Sequence, residues 1–180
     1  MTNKTLSKDI LIVGGGIMGL TLAALIGEIE PDIKIKLIER LSSCGKESSK
    51  GLNNAGTGHA GYCELNYTPL KDGKVDISRA IEINEMFEVS LQFWAYLDSI
   101  HPDFKPNKFL RKLPHISFVE GAENVRFLKK RYEALRRQPM FKGIKFTSSL
   151  KEIKRWAPLL VEGRIKKSIY GATKVDHGTD

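Results

Sequence analysis

Apolar residues follow two rhythms along this chain, one suited to strands and one to helices. Ile10-Leu-Ile-Val13, entered at Asp9, is apolar at every position and ends in glycine. With no polar face it reads as a buried parallel strand. Gly14-Gly-Gly-Ile-Met-Gly19 follows, then an apolar helical stretch from Leu20 to Glu30 that Pro31 and Asp32 stop. Ile33-Lys-Ile-Lys-Leu-Ile38 alternates before Glu39 as a second strand does. Strand, glycine turn, helix and strand in about thirty residues make a βαβ unit.

Further on, the helical rhythm dominates. Ala80, Ile83, Phe87, Trp94 and Leu97 share one stripe of a helix spanning Ser78 to Ser99, with Asp76 or Ser78 as its cap. Met86, Val89, Phe93 and Tyr96 lie beside that stripe, so the pattern predicts a helix packed on two sides. His101-Pro-Asp-Phe-Lys-Pro106 breaks it, and His115-Ile-Ser-Phe-Val119 reads as a new strand. From Asn124 to Gln138 a helix carries a narrow stripe of Val125, Leu128, Tyr132 and Leu135. Arg126, Lys129, Lys130, Arg131, Arg136 and Arg137 are expected on the rest of its circumference. Strands are predicted at Gly143 to Thr147 and Ile169 to Val175. A short helix, Leu150 to Trp156, is capped by Ser148 or Ser149 and ends before Pro158. His177-Gly-Thr-Asp180 reads as a turn.

The glycine turn carries the first chemistry. Gly14 permits the tight turn, Gly16 lets backbone approach a pyrophosphate, and Gly19 lets helix and strand pack closely. Phosphates then face a helix N-terminus, where unpaired N–H groups and the positive dipole end lie. Glu39 ends the second strand about 20 residues later, where a carboxylate accepts hydrogen bonds from an adenosine ribose. An acid there disfavours a 2′-phosphate, and with it NADP. FAD and NAD both use such a turn.

The loop after Glu39 separates them. An NAD domain continues into further βα units, whereas Ser48 to Pro69 is polar, with four glycines and three asparagines. A loop of that length inside a compact domain is functional or disordered. Ser48, Ser49, Asn54, Ala55, Gly56 and Thr57 suit a path along a flavin, because small residues let backbone approach a flat ring and hydroxyls and amides bond to it.

Composition and charge narrow the class. Hydrophobic residues make up 41% and charged residues 28% of the 180, a globular balance that excludes disorder. Ile10 to Gly27 mimics a signal sequence in length, but its three consecutive glycines and Asp9 argue against both that and a membrane span. Two cysteines, Cys44 and Cys63, predict a reduced, cytoplasmic protein without a disulfide. Residues 1–100 hold 10 Lys and Arg against 13 Asp and Glu, a net −3, while residues 101–180 hold 19 against 8, a net +11. The basic half is thus expected to face an anionic partner, although most of its cations read as a solvated face.

Four longer blocks carry a resemblance: ESSKGLNNAGTGHAGYCELNYTP at Glu47 to Pro69, VDISRAIEINEMFEVSLQFWAYL at Val75 to Leu97, LPHISFVEGAENVRFLKKRYEAL at Leu113 to Leu135 and IKRWAPLLVEGR at Ile153 to Arg164. They resemble the N-terminal part of bacterial malate:quinone oxidoreductases. The resemblance implies an α/β, FAD-binding Rossmann-type (glutathione-reductase-like) domain interleaved with a β-rich substrate domain. By that implication residues 1–112 are the FAD domain with a helical extension, 113–174 begin the substrate domain and 175–180 return to the first, in a chain truncated relative to the family. It also implies oxidation of (S)-malate to oxaloacetate, a step of the tricarboxylic acid cycle, with electrons passed to membrane quinone. The expected partners are malate, quinone and an anionic membrane surface, the enzyme lying peripherally on the cytoplasmic face of the inner membrane. No nucleic acid is expected.

Residue by residue, Gly14, Gly16 and Gly19 match the pyrophosphate turn, Glu39 the ribose contact, and Ser48, Ser49, Asn54, Ala55, Gly56 and Thr57 the flavin loop. Hydride transfer from malate C2 to flavin N5 then needs a base for the hydroxyl proton, and a base near neutral pKa points to histidine. Of His59, His101, His115 and His177, His59 in the loop is the first candidate and His115 the second. His101 and His177 read as turn residues. The alternatives are an FAD-dependent dehydrogenase or oxidase of another 2-hydroxyacid, and a non-catalytic basic module.

Overall fold

The computed structural model describes residues 9–62, 64–164 and 168–179. The described residues form two compact units, divided between Gly56 and Thr57.

In the first unit β1 (Ile10–Val13) and β2 (Ile35–Ile38) pair in parallel, Ile10 opposite Ile35 and Val13 opposite Ile38, with α1 (Ile17–Ile29) between them in sequence. The expected βαβ unit is present, with shifted edges. α1 starts three residues before Leu20 because the Ser49 hydroxyl oxygen accepts from the Ile17 N–H at 2.8 Å. β2 starts at Ile35 because the two preceding N–H groups are used elsewhere. Ile33 donates to the Glu30 carbonyl at 3.1 Å, and Lys34 to the Asp9 carboxylate at 3.2 Å. Ile12 is the buried residue of β1, whereas Leu11 and Val13 are 56% and 79% exposed and no residue of α1 is buried. The strand is composed for cover on both faces; this unit covers one.

The second unit is built on an antiparallel sheet. β8 (Tyr170–Thr179) is its spine, pairing with β6 (Lys112–Glu120) along one edge and with β3 (Gly58–His59) and β7 (Lys145–Thr147) along the other. A small hairpin, β4 (Leu70–Lys71) and β5 (Lys74–Val75), turns at Asp72 and Gly73, both with positive φ. Asp-Gly is the residue pair such a turn demands.

β8 corrects the turn expected at residues 177–180: the strand runs on to Thr179. The reason is a bulge. Leu113 pairs with Gly178 and His115 with Val175, so Pro114 alone faces Asp176 and His177. Proline has no N–H to contribute to a ladder, and the extra residue in β8 absorbs the gap. Asp180 and Cys63 lie outside the described residues. Cys44 is an exposed free thiol.

Helices cover both faces of the sheet. Val175 packs with Phe87 of α2 (Ser78–Ile100) and Leu135 of α3 (Ala122–Leu135). Tyr170 and Ala172 pack with Ile153 and Trp156 of α4 (Leu150–Trp156). The N-cap of α2 is Ile77 rather than the expected Asp76 or Ser78; Asp76, one residue before it, accepts from the Ser78 N–H at 3.0 Å and hydroxyl at 2.6 Å. The helix buries Ala80, Asn84, Phe87 and Leu97, but Met86, Val89 and Tyr96 remain exposed, so among the described residues it is packed on one side rather than two.

α3 corrects a second expectation. Arg131 is not on the solvated circumference but fully buried beside Leu128 and Leu135. Its Nε donates to Thr68 Oγ1 at 2.8 Å and its Nη2 to the Tyr62 carbonyl at 2.6 Å. From α2, the buried Asn84 amide donates to the Ala60 carbonyl at 3.0 Å. Tyr62 in turn donates its hydroxyl to the Met140 carbonyl at 2.8 Å. The segment after His59 is therefore polar backbone held in place from inside the core by side chains of both helices.

Among the described residues no helix is long and apolar enough to cross a membrane.

Candidate functional site

The glycine turn lies in the first unit, and each glycine is required by its surroundings. Gly14 sits at φ +104°, and its N–H donates to the Ile38 carbonyl at 2.8 Å, tying the turn to the end of β2. Gly16 is the N-cap of α1, and a Cβ there would lie 3.1 Å from Ser49 Oγ. At Gly19 a Cβ would overlap the Gly14 carbonyl oxygen and press on Ile12 Cγ2 at 3.3 Å. Helix and strand approach closely only because that atom is absent.

Glu39 buttresses the same turn. Its Oε1 accepts from the Leu41 N–H at 2.8 Å and its Oε2 from the Gly15 N–H at 2.7 Å. These two backbone bonds, Leu41's the larger, hold its carboxyl below the ordinary carboxylate range and keep it ionised. Each oxygen keeps further lone-pair capacity for a hydroxyl donor.

Loop 47–56 folds back onto the turn. Asn54 donates its amide to the carbonyls of Ser48 at 2.8 Å and Lys50 at 3.0 Å, and its Oδ1 accepts from the Gly56 N–H at 2.7 Å. Asn53 donates to the Glu47 carbonyl at 2.8 Å. So wound, the loop delivers Ser49 to the start of α1. By helix geometry the next N–H groups, of Met18 and Gly19, have no partner inside the helix. Gly14, Gly16, Gly19, Glu39 and Ser49 are thus brought together, with Ser48 and Asn54 one step behind. Ala55 and Gly56 lead out of the unit, and Thr57 belongs to the second. Ser49→Ala, which removes the hydroxyl from the start of α1, is expected to cost about 1 kcal/mol, read as a lowered denaturation midpoint.

The histidine candidates lie in the second unit. His59 on β3 pairs with Gly178, and its ring stacks on Tyr67 at 5.7 Å. The His115 ring lies 6.5 Å from that of His59. It fills the space beside Gly178, where a Cβ would stand 2.5 to 2.6 Å from His115 Cδ2 and Cε1. Nδ1 of His59 and Nδ1 of His115 are both buried without a hydrogen-bond partner among the described residues. Burial, helped by the neighbouring His59 and His177, holds the His115 imidazole below its ordinary pKa. His101, at the C-terminal end of α2, donates its N–H to the Leu97 carbonyl at 2.9 Å.

His177 is the residue that sequence reasoning misassigned. It lies within β8, where its Nε2 is 2.7 Å from Glu88 Oε1 and its ring meets Phe87 edge-on at 5.9 Å. Glu88 also bears on Tyr62, whose phenol is pushed up to about 12, chiefly by burial. No local pattern marks His177, because its neighbours are set by the pairing of three strands. Glu88 follows the buried Phe87 directly, which marks it as lying at the edge of the packed stripe.

A parallel strand–turn–helix–strand unit followed by an antiparallel sheet with helices on both faces makes this a mixed α/β protein. The family model described as "Malate:quinone oxidoreductase (Mqo)" matches residues 6–180, and the chain belongs to that family. It is 52% identical over 181 residues to a protein named "Probable malate:quinone oxidoreductase" from Geobacillus sp. (strain WCH70). Proteins of the same name from Exiguobacterium sibiricum and Bacillus cereus (strain AH187) are 49% and 48% identical to it. In each comparison all of this chain is covered, and it spans 36% of the relative's length.

Proposed function

We propose that these residues are the N-terminal part of an FAD-dependent enzyme that oxidises (S)-malate to oxaloacetate and passes the electrons to membrane quinone. The observation that carries the reading is the glycine turn: the absence of a Cβ at Gly19 lets α1 pack against the Gly14 backbone and Ile12, and the helix starts at Gly16, whose backbone carries no side chain. These residues fit the pyrophosphate of a dinucleotide. Gly14, Gly16 and Gly19 would hold it, Glu39 would accept from the ribose hydroxyls, and Ser48, Ser49, Asn54, Ala55, Gly56 and Thr57 would line the way to the ring. When bound, FAD would supply the two-electron acceptor for the hydride taken from the substrate carbon. What falls to this chain's own side chains is the proton: His59 and His115 form the pair that receives it from the substrate hydroxyl.

On this reading the first domain is a Rossmann-type, glutathione-reductase-like FAD domain, residues 1–112 with 175–180. Residues 113–174 open a β-rich substrate domain. The exposed Leu11 and Val13 support it, since a strand of such composition requires cover on its second face. The +11 charge of residues 101–180 supports peripheral contact with the anionic cytoplasmic face of the inner membrane. The burial of Arg131 counts against a continuous cationic face on α3 of the kind a nucleic-acid module uses.

The test is made on the protein at the full length of its relatives. It is expected to purify with a flavin absorption spectrum and to reduce a quinone with malate in preference to 2-hydroxyglutarate or lactate. A colourless protein that FAD does not reconstitute would overturn the cofactor. Preference for another 2-hydroxyacid would overturn the substrate and leave the cofactor standing.

A further inference from the structure

The β4–β5 hairpin and α3 together build a basic surface. With Arg131 turned into the core, Arg126, Lys130 and Arg137 remain exposed at i, i+4 and i+11, one stripe with Lys129 beside it and Glu133 as the acid within it. The stripe reaches Arg137 because Arg136, the C-cap of α3, keeps helical backbone. Lys130, Glu133 and Arg137 line one wall of a groove of about 360 Å³, and Gly73, Lys74 and Val75 of the hairpin line the other. Lys130 Nζ donates to the Gly73 carbonyl at 3.4 Å. Among the described residues Lys74, Arg126, Lys129 and Arg137 pair with no carboxylate.

The hairpin itself is composed against its own stability. Lys71 and Lys74 stand directly opposite each other, and like charges so placed destabilise a ladder. Asp76 relieves Lys71 at 2.6 Å, while Lys74 has no such relief among the described residues. Leu70, directly opposite the groove-lining Val75, is 50% exposed.

We propose that the β4–β5 hairpin and the outer stripe of α3 are the surface that docks on an anionic bilayer. Lipid phosphates occupy the groove against Lys74, Lys130 and Arg137, and Leu70 enters the headgroup layer. This rests on the peripheral membrane contact of the proposed function and names the residues that make it. Unneutralised cations beside an exposed apolar side chain are the combination that holds a protein at such an interface. A nucleic acid fits less well. Tyr132 is stacked on Phe146 at 5.8 Å with Arg136 over its ring, and Phe127 is partly buried, so α3 offers no open aromatic face to a base. A free phosphate would use the groove but leave Leu70 in water.

The experiment sediments the protein, at the full length of its relatives, with vesicles of phosphatidylcholine with and without phosphatidylglycerol. The parent is expected to bind those that contain phosphatidylglycerol, and less as salt rises. Lys74→Gln, Lys130→Gln and Arg137→Gln combined should weaken that binding about a hundredfold, at about fivefold per cation. Lys151→Gln, Lys154→Gln and Arg155→Gln combined remove the same charge from α4. They should change it less than about threefold, since screening confines each cation's pull to about 10 Å from the lipid. Leu70→Ser should weaken it about tenfold and leave the salt dependence as it was. If Lys130→Gln, which also breaks the bond to Gly73, loses its cooperative melting transition, Lys74→Gln with Arg137→Gln serves, with a loss of about twenty-fivefold expected.

Equal losses from the groove and α4 variants would show that diffuse charge suffices and overturn the assignment. A groove variant that differs from its parent in retention on DNA or in binding inorganic phosphate, but not on vesicles, overturns it as well. A parent that ignores phosphatidylglycerol defeats the membrane reading of the proposed function itself. Binding kept alike by parent and groove variant defeats only the surface named here.

Discussion

Gly19→Ala in the full-length protein is expected to weaken FAD binding on the order of a hundredfold. The added Cβ would occupy the Gly14 carbonyl oxygen and come within 3.3 Å of both the Gly14 carbonyl carbon and Ile12 Cγ2. All but the last are backbone, so no side-chain rotation relieves the overlap. α1 must move away from β1 by an ångström or so, carrying with it the N–H groups that would face the pyrophosphate. A misplacement of about 1 Å in a positioning element commonly costs around a hundredfold. Overpacking adds roughly 1 to 3 kcal/mol of lost stability. The internal control is Gly27→Ala on the same helix, where a Cβ meets nothing within 4 Å. There the ordinary helix preference applies, and the change should stabilise by roughly 0.5 to 1 kcal/mol with flavin affinity kept. FAD titration by absorbance and a thermal melt on both variants decide the matter. A Gly19→Ala protein that holds flavin like its parent would show that this turn does not cradle the cofactor.

Arg131→Met should be the most destabilising change on α3, costing roughly 3 to 5 kcal/mol. Methionine fills a similar volume but abandons the Tyr62 carbonyl and the Thr68 hydroxyl, and both belong to buried residues. Against a typical domain stability of about 5 to 15 kcal/mol, that is a large share. Lys129→Ala, an exposed cation two positions away, should stay within about 0.5 kcal/mol. Urea denaturation midpoints at unchanged slope give both values. Similar small losses in the two variants would mean that Arg131 is solvated after all, as a helix dense in cations suggests from sequence.

That contrast shows where sequence reasoning ran short. Six cations from Arg126 to Arg137 read as one solvated face because each, taken singly, prefers water. Spacing held the correcting signal. Leu128, Arg131 and Leu135 stand at i, i+3 and i+7, and Ala80, Asn84 and Phe87 on α2 at i, i+4 and i+7, both spacings of a buried stripe. A polar residue on a buried stripe announces a backbone group to be satisfied inside the core. Which group it serves, here the 60–68 segment, depends on a chain more than 60 residues earlier in sequence.

The parts that the sequence determined by itself are those written by local physics. The strand, glycine turn, helix and second strand of residues 10–38 follow from apolar rhythm and glycine geometry, and so do α2 and α4. Glu39 was singled out by its distance from the turn as a ribose contact, and in the structure its carboxylate braces the turn's own backbone. Only the tertiary structure decided what stands beside what. Pro114 forces a bulge in β8, the bulge carries the strand past residue 177, and pairing on both edges of Gly178 brings His59 and His115 together. Such a pair has no sequence signature, because strand pairing joins residues by register and not by proximity along the chain.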